Sequence, residues 1–321
     1  MLSYKDCDNY ENFIAKCKSW LYTPELDILV EQFENRIPQN LSFTDRLDWL
    51  VNFSQIWDFR RMQSTAKDLK TGETARWLIS NSNLNEMQMT AAVKTAEKLG
   101  MVNGQAPSDK NYDAILVLGG ARMSCLFRMR YAKKLCDSYG IRAKEIVGLT
   151  GMRLISDSER SATDTYAVEA ETEFDLMCEA AKNVFGLKVE ESREGELLDS
   201  LNCSWAIARY KNRIPITIVA APSLEPEKRR ANTADTFQFW REQRKAEEEN
   251  SALLVTSQIY VPYQQLEAVR ILGIPYGYNL ETVGFPKEWS AGMQGLQTAV
   301  NYLQEIRSVL LSMQKLFIKV L

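Results

Sequence analysis

The run Ala114-Ile115-Leu116-Val117-Leu118, closed by Gly119-Gly120, constrains this chain more than any other stretch. Five successive apolar residues are too few for a typical helix and leave no polar side for water. They predict a strand buried on both faces of its sheet. The paired glycines let the backbone turn tightly and leave main-chain N–H groups uncovered. A basic stretch follows, with Arg122, Arg128 and Arg130, and then residues 131–135 of a helix. Strand, glycine turn and helix start make a layout that favours an anion, because free N–H groups, the helix dipole and an arginine fork all attract negative charge. Neither a G-x-G-x-x-G nor a Walker sequence is present, so the dinucleotide and P-loop fingerprints are unmet. The plainer alternative is a strand-to-helix turn with surface arginines.

The rhythm then repeats. Short apolar runs at 144–149, 214–221 and 252–257 predict three further strands, and 274–279 a fifth. Helices are predicted at 165–185, 231–248, 261–272 and 296–319; the last has apolar residues recurring every three and four. Residues 204–210 predict an extra edge strand, and 188–198 a charged, exposed segment. Strands alternating with helices predict an α/β fold: an open, Rossmann-like parallel sheet with helices on both faces.

Residues 1–108 read as a helical N-terminal domain, and 109–321 as the α/β domain, joined by the polar stretch 103–111. Thr23-Pro24-Glu25, Ser42 or Thr44, and Asn83 or Asn85 are helix starts. Gly100 stands where a helix-ending glycine belongs. Trp20, Trp49, Trp57 and Trp77 read as core or interface anchors.

Composition narrows the chemistry. The chain has 321 residues and no histidine, which removes every Ser-His or Cys-His machine and any histidine metal ligand. The six cysteines form no C-x-x-C, so no metal is expected. A net charge of −3 gives no case for nucleic acid. No secretory leader or membrane-spanning run is visible, and a reduced cytoplasm is the expected location.

In an open parallel sheet, ligands sit outside the carboxyl ends of the strands. The residues collected there are Gly119, Gly120 and Arg122 after the first strand, and Thr150, Gly151, Arg153, Asp157, Glu159 and Arg160 after the second. The third strand contributes Ser223, Arg229, Arg230, Asn232, Thr233 and Asp235, and the fourth Thr256, Ser257, Gln258 and Tyr260. Arginines, small hydroxyls and backbone N–H groups suit a phosphate or another anion. A carboxylate among them serves as a base, as a ribose ligand, or as the partner of an arginine.

The order of VLGG-A-R, Thr-Gly, a Glu four before a Met, N-T-x-acid and VTS plus an aromatic resembles the SanA–ElyC–YdcF family over roughly residues 112–311. The resemblance implies a Rossmann-like fold in a bacterial protein and a ligand-binding sheet edge. Gly119, Gly120, Arg122, Thr150, Gly151, Asn232, Thr233, Thr256 and Ser257 match its motifs. Glu173 and Asp235 stand at its acidic positions as candidate acid or base. Arg230 replaces a Ser, Thr236 an Asn, and Tyr260 falls near its His, whose following Arg is absent. The implied function is binding of a phosphate-bearing or nucleoside-type molecule, with S-adenosylmethionine a candidate, and hydrolysis or group transfer. The alternative is a non-catalytic sensor or adaptor that meets a protein partner through residues 1–108. A methyltransferase fits less well, since no acid directly follows the second strand to hold a ribose.

Overall fold

A computed structural model describes residues 2, 4, 10–62, 83–244, 250–285, 287–290 and 297–318. Trp77 and Cys7 lie outside the described residues. The chain opens with helices α1 (Tyr10–Leu21), α2 (Pro24–Glu31), α3 (Phe43–Phe53), α4 (Phe59–Met62) and α5 (Glu86–Lys98). The starts of α2, α3 and α5 follow the sequence signals. Pro24 occupies the first turn of α2, the Ser42 side chain accepts from the Asp45 amide, and Asn85 and Gln88 form a reciprocal capping box. Gly100 follows α5 with φ +76°, a left-handed conformation that favours glycine.

The sheet then assembles from β1 (Asn111–Leu118), β2 (Arg142–Gly151), β3 (Ser192–Glu196), β4 (Trp205–Tyr210), β5 (Ile216–Ala221), β6 (Ser251–Ser257) and β7 (Asn279–Phe285). Between them run α6 (Ser124–Ser138), α7 (Asp157–Thr163), α8 (Glu173–Phe185), α9 (Thr233–Glu242), α10 (Val261–Ala268) and α11 (Ile274–Tyr276), and α12 (Ala299–Ile318) closes the described chain. The strand order is β3-β4-β5-β2-β1-β6-β7. Strands β5, β2, β1, β6 and β7 are parallel; β4 pairs antiparallel with β5, and β3 antiparallel with β4. The fold is therefore α/β with a mostly parallel sheet, as the alternation predicts.

Alternate residues of each strand feed two cores. Ile115, Val117, Leu253 and Val255 face α6 and α8, together with Phe127, Phe174 and Met177. Leu116, Leu118, Leu149 and Leu254 face the other way. On that face α9 packs on β2 and β5, and α10 on β6 and β7. Beyond α10 lies α12, which packs on α3 and α5. One continuous apolar core thus runs from the sheet through Val300, Leu303 and Leu310 of α12 to Leu26, Leu47 and Ala96 of the N-terminal helices.

Several boundaries differ from the sequence reading. Strand β4 is not the edge; β3, within the charged segment, is. All five β3 residues are exposed, so no apolar alternation marks it. The expected fifth strand at 274–279 is instead the turn of α11, ended by Gly277 at φ +70°, and β7 begins at Asn279. The helix expected from 165 begins at Glu173, because Thr172 caps it by accepting from the Asp175 amide.

Candidate functional site

The chain leaves β1 on one side toward β2 and returns across it to β6. The ends of β1 and β6 therefore form the crevice where the strand order reverses. Gly119 and Gly120 turn away from β1 here. Gly119 must be glycine for packing: a Cβ would collide with the Glu173 carboxylate and stand 2.9 Å from the Leu149 carbonyl. Its N–H is not left uncovered, since it donates to Leu149 O at 2.7 Å and prolongs the β1–β2 ladder by one bond.

Arg122 adopts φ +54°, a region that non-glycine residues rarely occupy. A buried and a partly buried side chain grip it. Its N–H donates to Glu159 Oε1 at 3.0 Å, and its carbonyl accepts from the Tyr166 hydroxyl at 3.1 Å. Such strain persists where the surroundings over-determine it.

Glu159 has no solvent exposure and takes five donors. Arg153 supplies two at 2.7 and 3.1 Å, Ser156 gives its N–H and hydroxyl at 3.0 Å each, and Arg122 gives its N–H. Burial by itself would raise the Glu159 pKa, but the Arg153 fork and the amide bonds outweigh it and hold the carboxyl below the ordinary value. Arg153 is likewise held protonated. Burial disfavours its charge, and the charges and bonds of Glu173 and Glu159 more than reverse that. Its Nε donates to Glu173 Oε2 at 3.0 Å. The other Glu173 oxygen, Oε1, lies against the Gly119 α-carbon. Cys125 donates its thiol to Gly120 O at 3.3 Å, and burial pushes it up to about 12, so it is no thiolate nucleophile near neutral pH.

Across the crevice, Arg128 is buried at 3 % exposure. Its Nη1 donates to the Leu118 carbonyl at 2.9 Å and to the Gly119 carbonyl, and its Nε and Nη2 donate to Ser257 Oγ at 3.3 and 3.1 Å. The guanidinium also stands 5.7 Å from the Tyr260 ring centroid. It therefore pins the end of β1 to the end of β6. The sequence shows Arg128 only as part of a basic stretch. Side chains of a helix lean toward its N-terminus, which brings this arginine back to the strand ends, but nothing local announces Ser257 as its partner.

The remaining candidates separate into two groups. The β5–α9 loop carries Arg230, exposed, and Asn232, whose Oδ1 caps α9 by accepting from the Ala234 and Asp235 amides at 2.9 and 3.3 Å. Thr233 opens that helix, half-buried. Asp235 is 1 % exposed and is consumed locally: it accepts from the Asn232 amide at 2.7 Å and from both Nη atoms of Arg229. This loop meets the end of β2, since a Cβ on Gly151 would lie 3.3 Å from that of Ala231. Thr150 and Thr256 do not face the crevice. The Thr150 hydroxyl donates to Val219 O at 3.0 Å within the sheet, and Thr256 has no exposure. Among the described residues no three of His, Cys, Asp and Glu are grouped to share a metal ion. Nor is any described helix long and apolar enough to cross a membrane.

Comparison with known proteins gives kinship without an activity. The family described as the Rv3785 N-terminal domain matches residues 5–100. The uncharacterised protein Rv3785 of Mycobacterium tuberculosis is 34 % identical over 309 residues, covering 91 % of this chain and 86 % of its own. The uncharacterised protein Mb3814 of Mycobacterium bovis matches to the same extent. No solved structure matches the chain.

Proposed function

Taking as premise that the chain belongs to the Rv3785 family, we propose that it binds a phosphate-bearing or nucleoside-type small molecule at the carboxyl edge of the sheet, from the crevice between β1 and β6 across the ends of β2 and β5, and transforms it by hydrolysis or group transfer. The observation that carries this reading is Glu173. One of its oxygens is fixed by Arg153, and the other rests on the glycine turn at the strand ends. A carboxylate oriented by a buried arginine, with one oxygen left toward the place where a ligand would lie, suits proton transfer. The strand ends carry Arg122, Arg128, Arg153, Arg229 and Arg230 against Glu159, Glu173, Glu225 and Asp235, an excess of one positive charge that suits an anion. In this reading Arg122 and Gly120 meet the anion, and Arg230, Asn232 and Thr233 line the far side. Glu173 accepts or donates the proton, and Asp235 only shapes its loop. The resemblance to the SanA–ElyC–YdcF family keeps S-adenosylmethionine among the candidates.

The test is a thermal-shift panel of S-adenosylmethionine, nucleotides, nucleotide sugars and isoprenoid phosphates on the full chain. The expected result is a ligand that raises the midpoint of the wild type and of Glu173→Gln but not of Arg122→Ala, with turnover absent in Glu173→Gln. Stabilisation undiminished in both Arg122→Ala and Asn232→Ala would refute this site.

A second reading, a sensor or adaptor, has its own support. Ile28 of α2 and Met87 and Val93 of α5 are exposed on two helices that pack together. Exposed apolar residues on this pair of helices suit a protein partner. This reading expects ligand binding without product, and a partner whose capture fails with Ile28→Asp.

A further inference from the structure

The strand-end crevice sets one uncommitted acceptor beside the groups that favour an anion. Glu173, the first residue of α8, is buried. Its Oε2 accepts from Arg153 Nε at 3.0 Å. Its Oε1 accepts no hydrogen bond among the described residues and still reaches solvent, in a side chain that is 11 % exposed. Oε1 also lies against the α-carbon of Gly119, the residue joined to Gly120. The neighbouring acids are spent. Glu159 takes five donors, and Asp235 accepts from the Asn232 amide and from Arg229.

An ionised carboxylate can only accept hydrogen bonds. Placed where an anion lies, it repels an oxygen that has no proton and attracts one that carries a proton. Such a repulsive element selects among ligands of the same charge. The charge at the glycine turn points the same way. Arg122, Arg128 and Arg153 meet there against Glu159 and Glu173, one positive charge in excess, which a monoanion neutralises.

We infer that the anion taken here is a terminal phosphomonoester, bound in its singly protonated form. Its charged oxygens meet Arg122 and the glycine turn, and its P–OH donates to Glu173 Oε1. The inference rests on the strand-end reading above and narrows its substrate class. A phosphomonoester has a second pKa of about 6, so the proton is within reach near neutral pH. A phosphodiester or a sulfate has no proton to give and would set a bare oxygen against the carboxylate. A site built to hydrogen-bond a ligand hydroxyl rejects analogues that lack it, because its own polar group is left unpaired. S-adenosylmethionine offers an amino donor, but with its sulfonium it adds to the positive excess instead of cancelling it.

The probe is radiolabelled inorganic phosphate, held by the full chain in equilibrium dialysis near neutral pH at fixed ionic strength. Methyl phosphate, dimethyl phosphate and sulfate are the competitors. The expected result is retention of phosphate that methyl phosphate displaces. Dimethyl phosphate and sulfate should compete at least about tenfold less well, the loss expected for one hydrogen bond to a charged group. In Glu173→Gln, whose amide donates as well as accepts, sulfate should compete nearly as well as phosphate. In Arg122→Ala retention should be lost. Sulfate that competes as well as methyl phosphate in the wild type, with retention lost in Arg122→Ala, overturns the inference and leaves the crevice an anion site. A preference for phosphate that survives Glu173→Gln overturns it too, by taking the selectivity away from Glu173. No retention of phosphate also overturns it, and retention of S-adenosylmethionine in its place would leave the strand-end reading standing. The wild-type comparison needs neither variant, so it decides even where a substitution disturbs the fold.

Discussion

Two arginines at the same edge of the sheet each sit between two carboxylates, and the two clusters behave differently because of burial. Arg153 joins Glu159 and Glu173, with side-chain exposures of 10 %, 0 % and 11 %. Arg229 joins Asp235 and Glu225, with exposures of 30 %, 1 % and 48 %. The chemistry of the groups is the same. In the first cluster all three side chains are withdrawn from water, and the charges of Arg153 and Glu159 hold each other ionised. In the second only Asp235 has left it, and the arginine and the outer glutamate keep most of their hydration. The comparison teaches that the first cluster is a rigid support for the glycine turn, while the second is a loop clasp whose outer half is dispensable.

The sharpest way to break that contrast is Arg153→Met. It leaves two buried carboxylates facing each other without a cation, and removing one partner of a buried ionic group costs about 3–5 kcal/mol. Urea unfolding measures it. Neutralising the acids as well, with Glu159→Gln and Glu173→Gln, should recover much of the loss, since the stranded charge is the main penalty. A cost as small as that of a surface substitution would show that the cluster is hydrated after all.

The pH dependence of the same cluster sharpens the point. The Glu159 carboxyl is held below its ordinary value of 4.5 in the folded chain. A depressed acid stabilises the fold fully above the unfolded value and loses that contribution as pH falls through the folded one. The stability gap between wild type and Glu159→Gln should therefore be constant at neutral pH and narrow below about pH 4.5. Denaturation midpoints taken from pH 7 down to pH 3 test it, and a gap that widens on acidification would reverse the assigned sign.

How far the sequence reached follows the same division between local and distant determinants. Strands β1, β2, β5 and β6 are legible because each is an unbroken apolar run, and α2, α3 and α5 because Pro24, Ser42 and Asn85 announce them. Strand β7 was misplaced because it contains Glu281, an acid that is buried at 3 % exposure. Ser108 and Tyr112, far away in the chain, satisfy it with donors at 2.7 to 3.0 Å. Strand β3 escaped because it is a charged edge, which is how exposed edges are kept from pairing with other chains. At the site, the glycine turn and the positions of Glu159 and Glu173 were legible. The fork by which Arg153 ties the two acids together was not, nor was the reach of Arg128 to Ser257 across 129 positions.

The second cluster supplies the smaller effects. Asp235→Ala should cost about 1–3 kcal/mol, because the amides of Asn232 and Leu224 lose a buried acceptor. Hydrogen exchange at the start of α9 would localise the change, and an effect equal to that of Arg153→Met would erase the distinction between the clusters.

Glu225→Gln is the smallest and the most diagnostic of the set. Glu225 takes Lys228 and Arg229 at 3.1 and 3.0 Å on the open side of the loop, and those bonds hold its carboxyl below the ordinary value. That lowering arises in full contact with solvent, where attraction is screened and two long side chains must be ordered to gain it. Arg229 also keeps its bidentate hold on Asp235 without Glu225. The melting midpoint should therefore be unchanged within error at physiological salt, with any difference confined to low ionic strength. A salt-insensitive loss would mean that Glu225 orders the β5–α9 loop through Arg229. Both clusters would then be supports of one kind, differing in exposure and not in role.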